Sequence, residues 1–443
     1  MAEKRTGIGR FFWFGVAVVS IAIAALIAPF FIPLGRFLPE ITAQASAALG
    51  QPVAIDSIAL RLLPSPRVAL SGLRIGKDRD VEVADLQVVP ALLSLFGERK
   101  VISEIRAVKV RVKESALALA SAPRKGTGGD IAIRRVVLRE VLLEHASITL
   151  PEFDLQLRLG DGWALDEARL EMRDGSLKLL LDPQDSGDAK LEFEAKKWRL
   201  PAGAPLVVDA LKGQGTLRKS TLQVPAFDGR LYGGKFAGVL KADWTRQIQI
   251  GGSFDVSGLD IAALQAALGK KPALTGRLEA KGSYSANAKA VDQLAGAIVV
   301  EAPFKVHNGA LQGFDLSQAV NVFTGKMSGG QTRFDELSGK LALRGKRVRV
   351  NDLCAKSSVL TAGGVVEKAP DDHLSGRLDV SISGSRGWVG VPVALGGTLA
   401  NPYVTPTRGA TIGAVVGTVL LPGIGTTLGA RAGAATEKTS GCR

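Results

Sequence analysis

The residues that could carry chemistry are few and scattered. The histidines are His145, His307 and His373, and the most ligand-like run is Asp371-Asp372-His373. Metal ligation or proton transfer would need such groups at short, repeated spacings or on one helical face, and no such spacing links these three. Asp371-Asp372-His373 reads as a polar turn between strands. The sequence has no G-x-x-x-x-G-K-[ST] loop, no G-x-S-x-G elbow and no G-x-G-x-x-G fingerprint at a strand-to-helix junction. The expectation is therefore no catalytic residue, no metal and no cofactor. Cys354 and Cys442 leave two outcomes open: a disulfide in an oxidising compartment, or a buried thiol and a free tail thiol.

Without a reaction to position, the elements themselves become the signal. The chain has 443 residues, 52 of them Gly, with only 5% aromatic residues. Such usage favours many strands and turns over aromatic-filled cores. A net charge of +14 raises nucleic acid as a partner. The bases fall singly along strand-like segments without stacking aromatics, however, so anionic lipid headgroups fit better and no nucleic-acid partner is expected.

The residues between Arg10 and Arg36 carry no formal charge and are mostly Phe, Val, Ile, Ala and Leu. A helix over 11–35 is long enough to cross a bilayer. Lys4, Arg5 and Arg10 precede it, so residues 1–10 are expected in the cytoplasm and the body outside it. Cleavage after Ala43-Gln44-Ala45 is the competing reading. The apolar run is too long, and the site too far beyond it, for a secretion signal.

Beyond the anchor, Pro39 to Leu49 predicts a short helix stopped by Gly50, and Pro90 to Phe96 one or two helical turns. The rest alternates. Val108, Val110 and Val112 are interleaved with Lys109, Arg111 and Lys113; Phe153, Leu155, Leu157 and Leu159 with Asp154, Gln156 and Arg158; Leu177, Leu179 and Leu181 follow. An antiparallel sheet with one apolar face writes this pattern, and slips in its parity predict bulges. Hairpins echo between 215–238 and 339–364, and helices are expected at 261–268 and 315–324. From the residues alone, a closed core and an open aliphatic trough are equally good solutions.

Several motifs tip the balance. Leu49-Gly50-Gln51-Pro52-Val53, Ser57-Ile58-Ala59-Leu60, Leu63-Pro64-Ser65-Pro66, the Leu70-Ser71-Gly72-Leu73 turn and Ala91-Leu92-Leu93-Ser94-Leu95-Phe96-Gly97 occur in this order. Near the other end come Asp260-Ile261-Ala262-Ala263-Leu264, Thr275-Gly276-Arg277-Leu278, Asn308 to Leu316, Gly330 to Phe334, Leu378-Asp379-Val380 and Pro392 to Pro402. The set resembles the AsmA family of inner-membrane-anchored envelope proteins, over roughly 5–110 and 250–405. The resemblance implies an elongated, curled, open β-groove associated with phospholipid movement between membranes. Val108, Val110, Val112, Phe153, Leu155, Leu157, Leu159, Leu177, Leu179 and Leu181 are then its candidate lipid-binding wall. About 20 strands at 4.8 Å reach roughly 100 Å, which suits a relay or a local role better than a complete bridge.

The tail from Gly409 to Ala430 is again uncharged. Gly409, Gly413 and Gly417, then Gly425, Gly429 and Gly433, have the spacing that lets helices approach closely. Pro422-Gly423 splits the run, so a helical hairpin against a membrane, an envelope protein or another copy competes with an unstructured tail.

The expected organisation is therefore a cytoplasmic start (1–10), an anchor (11–35), an N-terminal β region (36–113), a middle β region (114–256), a C-terminal region (257–408) and a glycine-rich tail (409–443). The class is mainly β: a single transmembrane helix followed by a curled antiparallel groove with a few short helices. The expected function is non-catalytic phospholipid binding from the bacterial inner membrane, with the bulk in the periplasm. The alternative is a scaffold factor whose sheet edges pair with outer-membrane proteins.

Overall fold

The computed structural model describes residues 34–63, 65–92, 94, 99–116, 131–146, 148–201, 205–313, 315–316, 328–384, 387–407 and 442. The anchor expected over 11–35, the helix expected over 315–324 and the tail glycines fall wholly or largely outside them. No helix of the described residues is long and apolar enough to cross a membrane. The protein is mainly β, with 66% strand. It divides into two compact units, Met1–Pro183 and Gln184–Arg443.

The first unit starts with α1 (Leu38–Leu49), ended by Gly50 at φ 64° as the sequence predicts. Its strands are β1 (Val53–Ala54), β2 (Ser57–Arg61), β3 (Arg67–Ile75), β4 (Val81–Pro90), β5 (Lys100–Lys113), β6 (Ile131–Ile133), β7 (Arg135–Glu144), β8 (Phe153–Leu159), β9 (Leu165–Met172) and β10 (Leu177–Pro183). Pro90 closes β4, and the helical turn expected there follows it: Leu92 and Ser94 are in 3-10 conformation and the Ser94 N–H donates to Ala91 O at 3.0 Å, while residues 93 and 95–98 lie outside the described set. A proline ends a ladder as readily as it starts a helix, because either role lacks the N–H.

The ladder is not wholly antiparallel. β5 pairs in parallel with both β6 and β7, because the long connection over 114–130 lets the chain return in the same direction. Every other pairing in this unit is antiparallel.

A line of left-handed residues marks β3, β5 and β7 at one level. Gly72, Lys109 and Glu140 have φ of 66°, 55° and 55°. They lie level with one another between the pairs Ser71↔Asp85 and Leu73↔Val83, Asp85↔Val108 and Val83↔Val110, and Val108↔Arg139 and Val110↔Val141. The Glu140 N–H donates to Asp154 Oδ1 at 3.0 Å, which ties this line to β8. Gly72 therefore sits inside a strand, not at a turn. Its position lies under the Asp56 carboxylate, which receives two hydrogen bonds from Arg74.

The second unit is an up-and-down meander. It runs β11 (Ala189–Arg199), β12 (Val207–Arg218), β13 (Thr221–Leu231), β14 (Gly234–Asp243), β15 (Ile248–Asp260), α2 (Ile261–Ala267), β16 (Leu274–Ala288), α3 (Leu294–Ala297), β17 (Val299–Gln312), β18 (Gln331–Arg344), β19 (Arg347–Lys356), β20 (Leu360–Lys368), β21 (Leu374–Gly384), β22 (Gly387–Gly397) and β23 (Pro402–Pro406). Each strand pairs antiparallel with the next. Asp260 caps α2 by accepting the Ala263 N–H at 3.0 Å. The Gln265 amide then fastens the helix to β16 through Leu274 O at 2.6 Å and the Ala273 N–H at 2.8 Å.

The later strands close on a conventional core. Val306, Val380, Val393 and Val404 are fully buried, together with Phe334, Leu337, Leu360 and Leu378, and Ile261 and Leu316 cover them. Val306→Ala should cost about 2–3 kcal/mol, since the lost methyls leave a cavity that such packing cannot close. A matching fall in the denaturant midpoint, at unchanged slope, checks it.

Candidate functional site

The cross-strand register decides which expected wall residues share a face. Leu155 stands between Leu138 and Leu170, and Leu157 between Val136 and Ala168. Phe153 pairs with Val141 and Met172, and Leu159 with Leu165. On β10, Leu179 faces Leu170 and Leu181 faces Ala168. These rows form one aliphatic surface over β7, β8, β9 and β10. Leu177 and Met172 are buried, whereas Phe153, Leu155, Leu157, Leu159, Leu179 and Leu181 are only half-buried. Among the described residues no helix packs broadly over that surface.

On β5 the alternation misleads. Val110 lies between Val83 and Val141 and is buried with them, and Val112 packs against the same cluster. Val108 instead lies between Asp85 and Arg139, outside that cluster. The left-handed conformation at Lys109 moves the inward face from Ala107 to Val110, so a strict period of two does not hold across it. Val108 does not belong to the wall.

The second unit has an apolar row that the sequence reading missed. Phe193 pairs with Gly213, Gly213 with Phe227, Phe227 with Gly238, Gly238 with Phe254, and Phe254 with Gly282. Phenylalanine and glycine thus alternate across six consecutive strands. A Cβ at Gly213 would stand 2.5 Å from Phe193 Cζ, and one at Gly238 2.7 Å from Phe227 Cζ, so the rings lie across the bare backbone. The three phenylalanines remain half-buried. The row spans roughly 24 Å at 4.8 Å per strand, more than the ~15 Å depth of one leaflet's hydrocarbon. The signal was present in the sequence as isolated Phe and Gly residues, but only the register lines them up.

Polar chemistry stays dispersed. His145 faces Glu114 at 3.4 Å, His307 faces Glu279 at 3.6 Å and His373 faces Asp371 at 3.1 Å. Among the described residues no three His, Cys, Asp or Glu gather as a metal site. Asp371 accepts the His373 backbone N–H, which holds its carboxyl below the usual range, and the Lys368 ammonium does the same for Asp372. These are the bonds of a turn. Cys354 and Cys442 are joined as a disulfide, with Cα atoms 5.2 Å apart. The bond fixes Cys442 to β19, and residues 408–441, with the tail glycines, lie outside the described set.

A family model of the AsmA family matches residues 8–127 and 143–353, most of the chain. The chain belongs to the AsmA family. The match takes in the middle strands, which lie between the two stretches whose motifs resemble the family. Membership fits, in general terms, an envelope-associated role in lipid transport or assembly. No curated protein and no solved structure matches the chain. AsmA membership and a groove-like β-sheet therefore stand together, with the two half-exposed apolar surfaces as the candidate site.

Proposed function

We propose that this AsmA-family protein holds phospholipid acyl chains on its half-exposed apolar sheet surfaces and assists lipid transport or homeostasis between envelope membranes, without catalysing a reaction. Residues 11–35 anchor it in the bacterial inner membrane, with 1–10 in the cytoplasm and the body in the periplasm. The observation that carries the reading is the aliphatic face of β7 to β10, which is continuous and is left half-buried at Phe153, Leu155, Leu157, Leu159, Leu179 and Leu181. Monomeric surfaces seldom leave such a patch unpartnered. Each acyl CH₂ laid on it gains up to about 0.8 kcal/mol, so retention needs no polar contact.

The scaffold alternative relies on exposed sheet edges, and the terminal strands give it little support. β1 and β2 have two and five residues, and β23 has five, bounded by Pro402 and Pro406. Short strands and prolines are the usual means of blunting an edge against added strands.

A photoreactive residue placed at Leu155 or at Arg158 in the full chain, in bilayers containing labelled phospholipid, tests the reading. Lipid adducts at 155 and none at the outward-facing 158 are expected. Equal labelling at the two positions, or none at 155, would remove the groove.

A further inference from the structure

A second surface, distinct from the apolar faces, runs along one rim of the second unit where adjacent hairpins turn. Lys219 and Ser220 join β12 to β13, residues 244–247 join β14 to β15, residues 289–298 join β16 to β17, and Gly345 and Lys346 join β18 to β19. Backbone bonds and pairs show these turns to be neighbours. The Trp244 N–H donates to Ser220 O at 3.0 Å, Ile248 pairs with Ala288, and the Gly345 N–H donates to Ile298 O at 2.7 Å. The rim therefore runs without a break over β12 to β19, roughly 30 Å at 4.8 Å per strand.

Its side chains combine two features. Trp244 is 43% exposed and Val291 38% exposed, although both are large and apolar. Around them Lys219, Arg246, Lys289 and Lys346 are exposed, and among the described residues none of the four is in an ion pair. The neighbouring bases are already engaged: Arg218 by Asp188 at 2.5 Å and Arg347 by Glu367 at 2.8 Å. Of the acids close to these turns, Asp372 beyond β20 is held by Lys368 at 2.8 Å, although Lys346 also acts on it. Asp243 turns back to accept the Thr245 N–H at 2.8 Å, which leaves Asp292 as the acid within the turns themselves.

We infer that this rim docks on an anionic bilayer surface, with Trp244 and Val291 entering the interfacial layer and Lys219, Arg246, Lys289 and Lys346 meeting lipid phosphates. Tryptophan favours the headgroup level, where its ring is apolar and its N–H stays wet. Single unpaired bases spaced along a line suit a plane of mobile headgroups better than one fixed ligand. An uncharged stretch at 11–35 of the same chain puts a membrane within reach. Docking of this kind sets the strands upright on the surface and does not depend on what the apolar faces hold.

The test uses the full chain in nanodiscs of phosphatidylcholine, with or without phosphatidylglycerol, and reads amide exchange at 219–220, 244–247 and 289–293. Exchange at all three turns should slow when the anionic lipid is present. Each base near such a surface is worth about five-fold in partitioning. The triple variant Lys219→Gln, Arg246→Gln, Lys289→Gln should then lower the docked-to-free ratio by about 100-fold and erase the lipid dependence. Trp244→Ala should weaken protection while keeping its dependence on phosphatidylglycerol. Unchanged exchange in β18 and β19 confirms that each variant is folded. Equal exchange in the two bilayers, or anionic protection that survives in the triple variant, overturns the inference. Neither outcome bears on adducts at Leu155, so the rim and the groove stand or fall separately.

Discussion

Replacing Leu155 and Leu157 together by Asp is expected to abolish phospholipid adducts at a photoreactive residue placed at Leu170. Leu170 is the direct cross-strand neighbour of Leu155 and also faces Leu179, so it reports on the centre of the surface. A carboxylate on each side of an apolar row must lose water when an acyl chain covers it, at several kcal/mol per ion. Even roughly 4 kcal/mol per carboxylate cancels the contribution of about five methylenes at 0.8 kcal/mol each. The two sites lie two residues apart on β8 and interrupt the rows that run from Leu138 to Leu170 and from Val136 to Ala168. Without lipid the same carboxylates stay hydrated, because both leucines are half-exposed, so β7 to β9 should keep their amide protection. Lipid adducts persisting at Leu170 in a folded double variant would mean that acyl chains do not use this face.

Cys354→Ser is expected to destabilise the second unit by about 4–5 kcal/mol in the chain-entropy account of loop closure. The bond joins residues 88 apart and fixes Cys442 to β19, beside Ser338 and Gly363. Losing it frees the unfolded chain more than the folded one, since β19 keeps both of its ladder neighbours. Chemical denaturation followed by tryptophan fluorescence, with and without reductant, measures the effect. Reduced native protein should match the variant, and the variant should ignore the reductant. A shift below about 1 kcal/mol would show that the closed loop contributes little to holding this unit together.

Much of this organisation was legible in the residues. Alternation at 153–159 and 177–181 put these residues on one side of their strands because β8 and β10 are short and keep their own period of two, while the register shifts at this surface are taken up by the partner strands β7 and β9. The helix at 261–267 was legible because Asp260 and Gly269 are local signals that act within one turn. Val108 was misplaced for the opposite reason. The left-handed conformation at Lys109 is adopted level with Gly72 and Glu140 on neighbouring strands, and nothing in the alternating Val-Lys-Val-Arg-Val run announces it.

By itself the sequence determined the class, the family and the strands' two-faced character, because hydrophobic periodicity and turn chemistry are local properties. The tertiary structure decided the rest. It joined β5 to β7 in parallel, since a long connection permits either direction. It lined Phe193, Phe227 and Phe254 with intervening glycines into one row, since register sums over six strands. Packed core and half-exposed surface also coexist, although similar alternating strands write both. Val306, Val380, Val393 and Val404 are sealed where later strands and α2 come to cover them, whereas Leu155 and Leu157 are left half-exposed. Whether an apolar face is covered depends on which segments arrive over it from far along the chain, and alternation within a strand carries no record of that.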